Sequence, residues 1–463
     1  ESRLGKFELI KRLYMNRILS FFVLFVLFVS CDHDDKFYEN PVSLSDIKLL
    51  SIRADHKMLL PDGKAKMCFY ITAFGIKELP DYSAQYKGVD NDTIMYDPRV
   101  VCDTFKIPED VIPAGALKLY DESGNEIPDA VYSTTDATER TVYFYAKSGE
   151  LESEKIAIRI RELPKQEYEE LVFPVIFHVL NPTEQVGVPS FKITEEVVKK
   201  NLDRLNDVFG RVVTTDPNGA DTKIKFVAAK YDVSGVKLAE EGIHNWEISA
   251  SETFEDIDDY ENYVLKNKLN LIYDYRYYLN IWLINYPQGS NSSVKAPTVI
   301  LAGEEIPGLN ANEWPLDQFP EKPRDVGFFI NMSAFLNPMN STDFFEISNS
   351  MAQFFGLLST QASESEGVSN IVDGDTDYCT DTYYYWNDNS SVLKNTSKEE
   401  DSVDENTEYF TSYNVMDRYS WKNSITVDQV ARIREHIEKC PSRWMYKSKY
   451  ALTGLQEDWD AIN

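Results

Sequence analysis

At about residue 165 the periodicity of the apolar residues changes, and a chain that switches period must build two different kinds of core. From 43 to 165 the pattern is short alternating runs: Leu49 to Ala54, Ala65 to Phe74, Leu117 to Tyr120, Val142 to Ala146 and Lys155 to Arg161. Turn chemistry breaks them at Pro61-Asp62-Gly63, Glu122-Ser123-Gly124-Asn125 and Lys147-Ser148-Gly149-Glu150. Period two with Gly, Asp and Asn turns predicts an all-β sandwich. From 166 to 463 strands alternate with helices. Val172 to Leu180 reads as a buried strand, and Thr194 caps a helix whose Val198, Leu202, Leu205 and Phe209 share one face. Strands follow at Lys223 to Ala229, Tyr278 to Asn285, Thr298 to Ala302 and Val326 to Asn331. The second region is therefore expected to be a mixed α/β domain.

Composition narrows the function classes. Hydrophobic residues at 43% and aromatics at 13% supply ample core material, which excludes bulk disorder. The formal charge of -29, from 76 acidic against 47 basic side chains, repels phosphate backbones and argues against a nucleic-acid partner. The first region has the size of an immunoglobulin-like sandwich. Its Ile52-Arg53-Ala54-Asp55 and Leu60-Pro61-Asp62-Gly63 resemble the opening of bacterial immunoglobulin-like repeats in surface adhesins. It carries no cluster of site-type residues and reads as a spacer.

The first 31 residues read as a signal peptide. Lys11, Arg12 and Arg17 precede an apolar run from Ile18 to Val29, which is short for a membrane span. The run ends at Phe28-Val29-Ser30-Cys31, resembling a bacterial lipobox in which Cys31 is lipidated, with Met15 as the natural start. A tether follows over 32 to 42, and its Asp32-His33-Asp34-Asp35 resembles the acidic tag of surface-exposed Bacteroidetes lipoproteins. The resemblance implies an outer-membrane, cell-surface location and a membrane partner through the lipid. An uncleaved signal anchor and periplasm-facing retention are the alternatives.

A helix is expected over Phe344 to Leu358, with Ile347, Met351, Phe354 and Leu358 on its buried stripe and Asn349 and Gln353 on another face. By itself this is a core helix with two polar residues. The segment Asn349 to Ser359, however, has the length and the glycine, Gly356, of the metzincin signature H-E-x-x-H-x-x-G-x-x-H. Downstream, Ser412-Tyr413-Asn414-Val415-Met416-Asp417 resembles the Met-turn of that clan, and Thr426 with Gln429 forms a capping box for a last helix with Val430, Ile433 and Ile437 inward. Phe173-Pro174-Val175-Ile176-Phe177-His178-Val179, Asp377-Tyr378-Cys379-Thr380-Asp381-Thr382 and Thr426-Val427-Asp428-Gln429 are similar to segments of the pappalysin-like branch, particularly its zinc-dependent lipoproteins in Bacteroidetes. The resemblance spans about Phe173 to Pro441.

That resemblance implies a metzincin-like domain, and the residues imply a degenerate one. Asn349, Gln353 and Ser359 stand at the three histidine positions, and Ser350 stands at the base. Neutral amides and hydroxyls are poor zinc ligands, and a serine cannot act as a carboxylate base, so zinc is not expected. The five histidines His33, His56, His178, His244 and His436 offer no replacement triad, His178 lying on a strand, His244 in a loop and His436 on the last helix. Asp373, Asp375, Asp377 and Asp381 form a possible calcium loop, against the plainer reading of a solvated acidic loop. The acidic run from Glu399 to Glu408 reads as a solvated insertion. Besides Cys31, four cysteines allow three pairings, of which Cys68 with Cys102 and Cys379 with Cys440 keep each bridge within one domain.

Together these readings give a surface lipoprotein whose pseudo-peptidase domain binds a peptide or protein ligand. The ligand would lie along an edge strand that, by order of elements, is Thr298, Val299, Ile300, Leu301 and Ala302, with 303 to 324 able to cover it. An active peptidase with unusual ligands and a structural surface protein without a cleft are the alternatives. Bound metal separates the first from this reading, and a shaped cleft beside Asn349 and Gln353 separates the second.

Overall fold

The computed structural model describes residues 42–81, 85–87, 94–96, 99–182, 192–285, 292–313, 322–336, 347–360, 377–383, 385, 393–395, 409–417 and 422–456. The signal peptide with Cys31, the tether up to residue 41, Asp373, Asp375 and the insertion from Glu399 to Glu408 lie outside the described residues. Two compact units emerge: Glu1–Ile52, Ile71–Leu119 and Tyr145–Glu154 form one, and Arg53–Tyr70, Tyr120–Phe144 and Lys155–Asn463 the other. Their division runs through the stretch 43 to 165.

In the first unit, strand Met67–Asp81 pairs antiparallel with Arg99–Lys106 from Phe74 opposite Lys106 to Asp81 opposite Arg99. A hairpin turns at Gly149-Glu150, with Ser148 opposite Leu151, where Gly supplies the positive φ of +59° that a tight turn needs. Val42, Ile47, Leu50, Ala73, Ile107, Val111 and Ala146 make its core.

The second unit begins with strands as well. Arg140 to Phe144 pair antiparallel with Ile156–Ile160, and Met58–Leu59 run parallel to Arg159 and Ile160. Its main body is a six-stranded sheet built on one long strand, Leu171–Pro182. The first half of that strand pairs parallel with Ile224–Ala228, and its second half pairs parallel with Ile243–Ile248. On its other side lie Leu279–Ile284 and then Gly327–Asn331, both parallel, and finally the antiparallel Ser292–Ser293. Parallel strands covered on both faces read as continuous apolar runs, which is why every residue of Leu279–Ile284 and of Gly327–Asn331 is buried.

Alternation sorts the two faces. Phe173, Val175, Phe177, Val179, Leu279, Ile281, Leu283, Phe328 and Ile330 point to one side. There they meet three helices: Glu195–Phe209 through Val198, Leu202 and Leu205, Ile347–Phe354 through Ile347 and Met351, and Val427–Lys439 through Val430, Ile433 and Ile437. Burying each such side chain stabilises the fold by about 1.5–3 kcal/mol. Leu180, Trp282, Ile284 and Phe329 point to the other side, against helix Ile257–Lys266 through Tyr260 and Val264.

Two expectations fail here for steric and topological reasons. Val299–Ile300 is not an edge of the main sheet: it forms a separate parallel pair with Asn312–Glu313, so its own downstream chain covers it. Asn312 N–H donates to Thr298 O (2.9 Å), and Leu301 N–H donates to Lys439 O (2.9 Å). Val299 and Ile300 are buried, Ile300 against Ile306 and Cys440, and Ala302 belongs to the turn that follows. The strand at the antiparallel edge is Ser292–Ser293 instead.

The disulfide pairings are likewise corrected. Cys379 and Cys440 are both buried free thiols: Cys379 Sγ donates to its own loop at Asp377 O (3.5 Å), while Cys440 sits in the apolar cluster with Ile300 and Ile306. Cys68 is also free, and Cys102 is registered opposite Glu78, ten positions along the strand that carries Cys68. At about 3.3 Å per strand residue that offset far exceeds the reach of a bridge.

Candidate functional site

The helix Ile347–Phe354 carries Asn349, Ser350 and Gln353 and packs on the core side of the sheet through Ile347, Met351 and Phe354. It ends in a Schellman closure: Gly356 N–H donates to Gln353 O (2.9 Å), and Leu357 N–H to Ala352 O (3.0 Å). Gly356 has a φ of +91°. A Cβ there would stand 2.1 Å from His436 Cδ2, so both the conformation and the space demand glycine.

Asn349 is buried and its Nδ2 donates to Val415 O (2.7 Å), with Met416 Sδ at 4.0 Å. Gln353 Nε2, one turn on, donates to Asn349 Oδ1 (2.9 Å). Asn349 and Gln353 therefore commit polar atoms to each other and, through Asn349, to the turn beneath them. Ser350 is buried, its Oγ without a hydrogen-bond partner among the described residues, and Ser359 is exposed.

The turn itself is firmly held. Asn414 Oδ1 accepts from Met416 N–H (2.9 Å), and the Asn414 amide pairs reciprocally with Gln429 (2.8 and 3.1 Å). Gln429 Oε1 also accepts from Thr426 N–H (3.1 Å), completing the capping box of the last long helix. The Thr360 hydroxyl donates to Asp417, which ties the chain after the signature to the same turn. Met416, buried at 4% exposure, lies under Asn349.

Zinc does not fit this donor set. An amide whose Nδ2 is already given to a carbonyl and whose Oδ1 already accepts from Gln353 has to break two hydrogen bonds to reach a metal, and it brings no charge. Among the described residues no group of three or more His, Cys, Asp and Glu side chains is arranged to hold a metal ion.

The described members of the acidic loop have structural work. Asp377 Oδ1 accepts from Cys379 N–H (3.1 Å) and Oδ2 from the Thr382 hydroxyl (2.7 Å). Asp381 is fully buried. Its Oδ1 accepts from the Thr426 hydroxyl (2.6 Å), and its Oδ2 from Asp428 N–H (3.0 Å) and the Arg161 guanidinium (2.7 Å). Arg161 reaches Asp428 as well (2.8 Å). Asp381 and Asp428 anchor the start of the last long helix, where the helix dipole favours negative charge, while Asp377 holds its own loop.

The histidines are dispersed. His178, on the opposite face of the sheet, has Nε2 2.9 Å from Asn280 Oδ1 and Nδ1 2.9 Å from His244 Nδ1. Asn280 Oδ1 only accepts, so His178 donates through Nε2 and takes the His244 Nδ1 proton; burial lowers the His178 pKa to about 3. His244 lies on strand Ile243–Ile248, not in a loop: the alternation around it is interrupted by Asn245 and Glu247, which hid the strand from the pattern. His436 is fully buried against Gly356, its Nδ1 donating to Arg432 O (2.8 Å), and burial lowers its pKa to about 3.

Cavities lined by described residues of this unit lie away from Asn349. One of about 30 Å³ lies by the turn, lined by His56, Asp216, Thr360, Asp381 and Asn414 among others. Another, of about 680 Å³, lies over the last long helix. Neither is lined by Asn349 or Gln353. The larger one gathers Arg432, Arg434, Tyr168, Tyr378 and Tyr446, none of which sequence reasoning marked as site residues; the only signal was two arginines on one amphipathic helix.

The body of the second unit is thus a mixed α/β sheet domain with a helix closed by Gly356 over a Met-containing turn. No family model matches the chain, and no curated protein matches it. Among solved structures it is similar to mature mirolysin of Tannerella forsythia in complex with a cleaved peptide, at 18% identity, covering 62% of this chain and 99% of that one, with a TM-score of 0.43. A promirolysin mutant of the same organism aligns at 19% identity over 62% of this chain and 86% of its own, with a TM-score of 0.43. Mirolysin in complex with compound 9 aligns at 17% identity over 63% and 100%, again with a TM-score of 0.43.

Proposed function

We propose that the second unit is a metallopeptidase-like domain that has exchanged its metal centre for a network of neutral side chains, and that it binds a peptide or protein segment without hydrolysing it. The observation that carries this reading is the Asn349 amide, which donates to Val415 O at 2.7 Å and accepts from Gln353 at 2.9 Å. That pair occupies the space between signature helix and Met-turn with hydrogen bonds that need no cation. Gln353 is half-buried and Ser359 exposed, so both side chains keep surface that a ligand can reach. Residues 43–165 act as an immunoglobulin-like spacer, and Cys31 carries the lipid that holds the chain at the outer surface of a bacterial outer membrane.

Elemental analysis of the mature chain after dialysis against a zinc buffer tests the proposal. No stoichiometric zinc is expected in the native protein. The combined Asn349→His, Ser350→Glu, Gln353→His and Ser359→His variant is expected to take up about one zinc per chain, the usual occupancy of a three-histidine site. A native protein that retains one zinc per chain, and loses it on Gln353→Ala, overturns the reading.

A further inference from the structure

The 680 Å³ cavity lies over the outward stripe of helix Val427–Lys439, with exposed Ala431 and Glu438 on its floor. Arg432 and Arg434, about 200° apart around the helix axis, turn to opposite walls. On one wall Arg432 donates to Gly356 O and Pro307 O (both 2.9 Å), and its guanidinium lies 5.2 Å from the Tyr378 ring centroid. On the other, Arg434 donates to the carbonyls of Thr222, Glu169 and Lys223, and its guanidinium lies 4.9 Å from the Tyr168 ring, with Tyr446 beside it.

Both arginines are at least nine-tenths buried, and neither is paired with a carboxylate among the described residues. Arg432 Nη2 is enclosed and without a hydrogen-bond partner there, whereas Arg434 Nη1 is neither bonded nor enclosed. Tyr378 is held at a φ of +60°, a strained setting for an aromatic residue, with 47% of its surface exposed at the cavity.

The chemistry of the lining selects a ligand class. Two guanidiniums meet three carboxylates, Asp428, Glu435 and Glu438, and two of these already have basic partners in Arg161 and Lys439. Charges of both signs near balance favour an uncharged ligand that both donates and accepts hydrogen bonds. Tyrosine walls on both sides favour one with flat apolar faces. An extended peptide is served poorly, because the floor is a helix whose backbone groups are satisfied internally and offers no ladder to join. Its volume of about 680 Å³ falls within the range of small-molecule sites.

We infer that this cavity binds a short neutral oligosaccharide, its hydroxyls bonded to Glu438 and to the Arg434 guanidinium and its sugar faces laid on Tyr168 and Tyr378. The site lies on the outer face of the last helix and is independent of the reading of Asn349 and Gln353.

Saturation-transfer NMR on the full chain, with maltotriose, cellotriose, mannotriose and triacetylchitotriose at up to about 10 mM, tests it in the affinity range expected of such a site. At least one trisaccharide is expected to give saturable transfer. Tyr168→Ala is expected to weaken that binding at least about tenfold. Ala431→Trp, which fills the floor from an exposed helical position, is expected to abolish it without changing the melting temperature. Absence of binding by all four sugars overturns the inference, as does binding that survives Ala431→Trp. Inorganic phosphate or trialanine displaying the Ala431→Trp-sensitive binding in place of the sugars overturns it too, and reassigns the cavity to anions or to peptides.

Discussion

Replacing Gly356 by alanine isolates what closes the signature helix. At a φ of +91° a residue with a Cβ incurs about 1–2 kcal/mol of backbone strain. The new methyl would lie 2.1 Å from His436 Cδ2 and 2.3 Å from Nε2, and the ring cannot step aside cheaply because it is fully buried and tied to Arg432 O. Overpacking of this kind costs about 1–3 kcal/mol. Reduced freedom of the unfolded chain returns about 0.4–1 kcal/mol, leaving a net loss of about 3 kcal/mol, a large part of a domain's stability. Urea denaturation of the native chain, Gly356→Ala, His436→Ala and the double variant separates the two contributions. Removing the ring leaves the backbone strain but abolishes the clash, so the double variant should lose about 1–3 kcal/mol less than the sum of the singles. Singles that add within about 0.5 kcal/mol, or a Gly356→Ala variant as stable as the native protein, refute the reasoning.

Three further outcomes follow from described contacts. His178 and His436 are held neutral, with pKa values lowered to about 3, whereas an unfolded histidine titrates near 6.5. Their contribution is present in full above pH 6.5 and is lost as pH falls from there towards 3, at up to about 1.4 kcal/mol per pH unit each; urea midpoints at pH 7 and pH 5 should show it, with a shallower decline in His178→Gln. Arg161→Leu leaves the fully buried Asp381 without its counter-ion and should cost about 3–5 kcal/mol, whereas adding Asp381→Asn should restore much of it; an Arg161→Leu loss below about 1 kcal/mol contradicts the ion pair. Thiol titration of unreduced, denatured protein should find Cys379 and Cys440 both reactive, and protection of both would reinstate the bridge.

What the sequence made legible was local chemistry. Helix Glu195–Phe209 starts after Thr194 and helix Val427–Lys439 after the Thr426 and Gln429 capping box, because caps and their stripes lie within four residues of each other. Gly356 was legible for the same reason. Pairing was not: Thr298 to Ala302 had the composition of a sheet strand, yet only the three-dimensional path of 303 to 313 decides that Asn312–Glu313 pairs with Val299–Ile300. The acidic loop was legible only in part, because counting carboxylates does not reveal that Arg161, some 220 residues away, takes Asp381. The large cavity was invisible because Tyr168, Tyr378 and Arg434 come from three distant segments.

The anchoring of helix Val427–Lys439 also constrains when the chain can finish folding. Arg161 bonds Asp381 across 220 residues of sequence and Asp428 across 267. Contacts at such separation form late, since the loop-closure entropy must be met before they return any stability. A nascent chain truncated before residue 428 lacks Asp428, one of the two partners of Arg161, and its sheet face lacks Val430, Ile433 and Ile437. The domain is therefore expected to become protease-resistant in one late step once the whole sequence is present, rather than to accumulate stability segment by segment as it emerges.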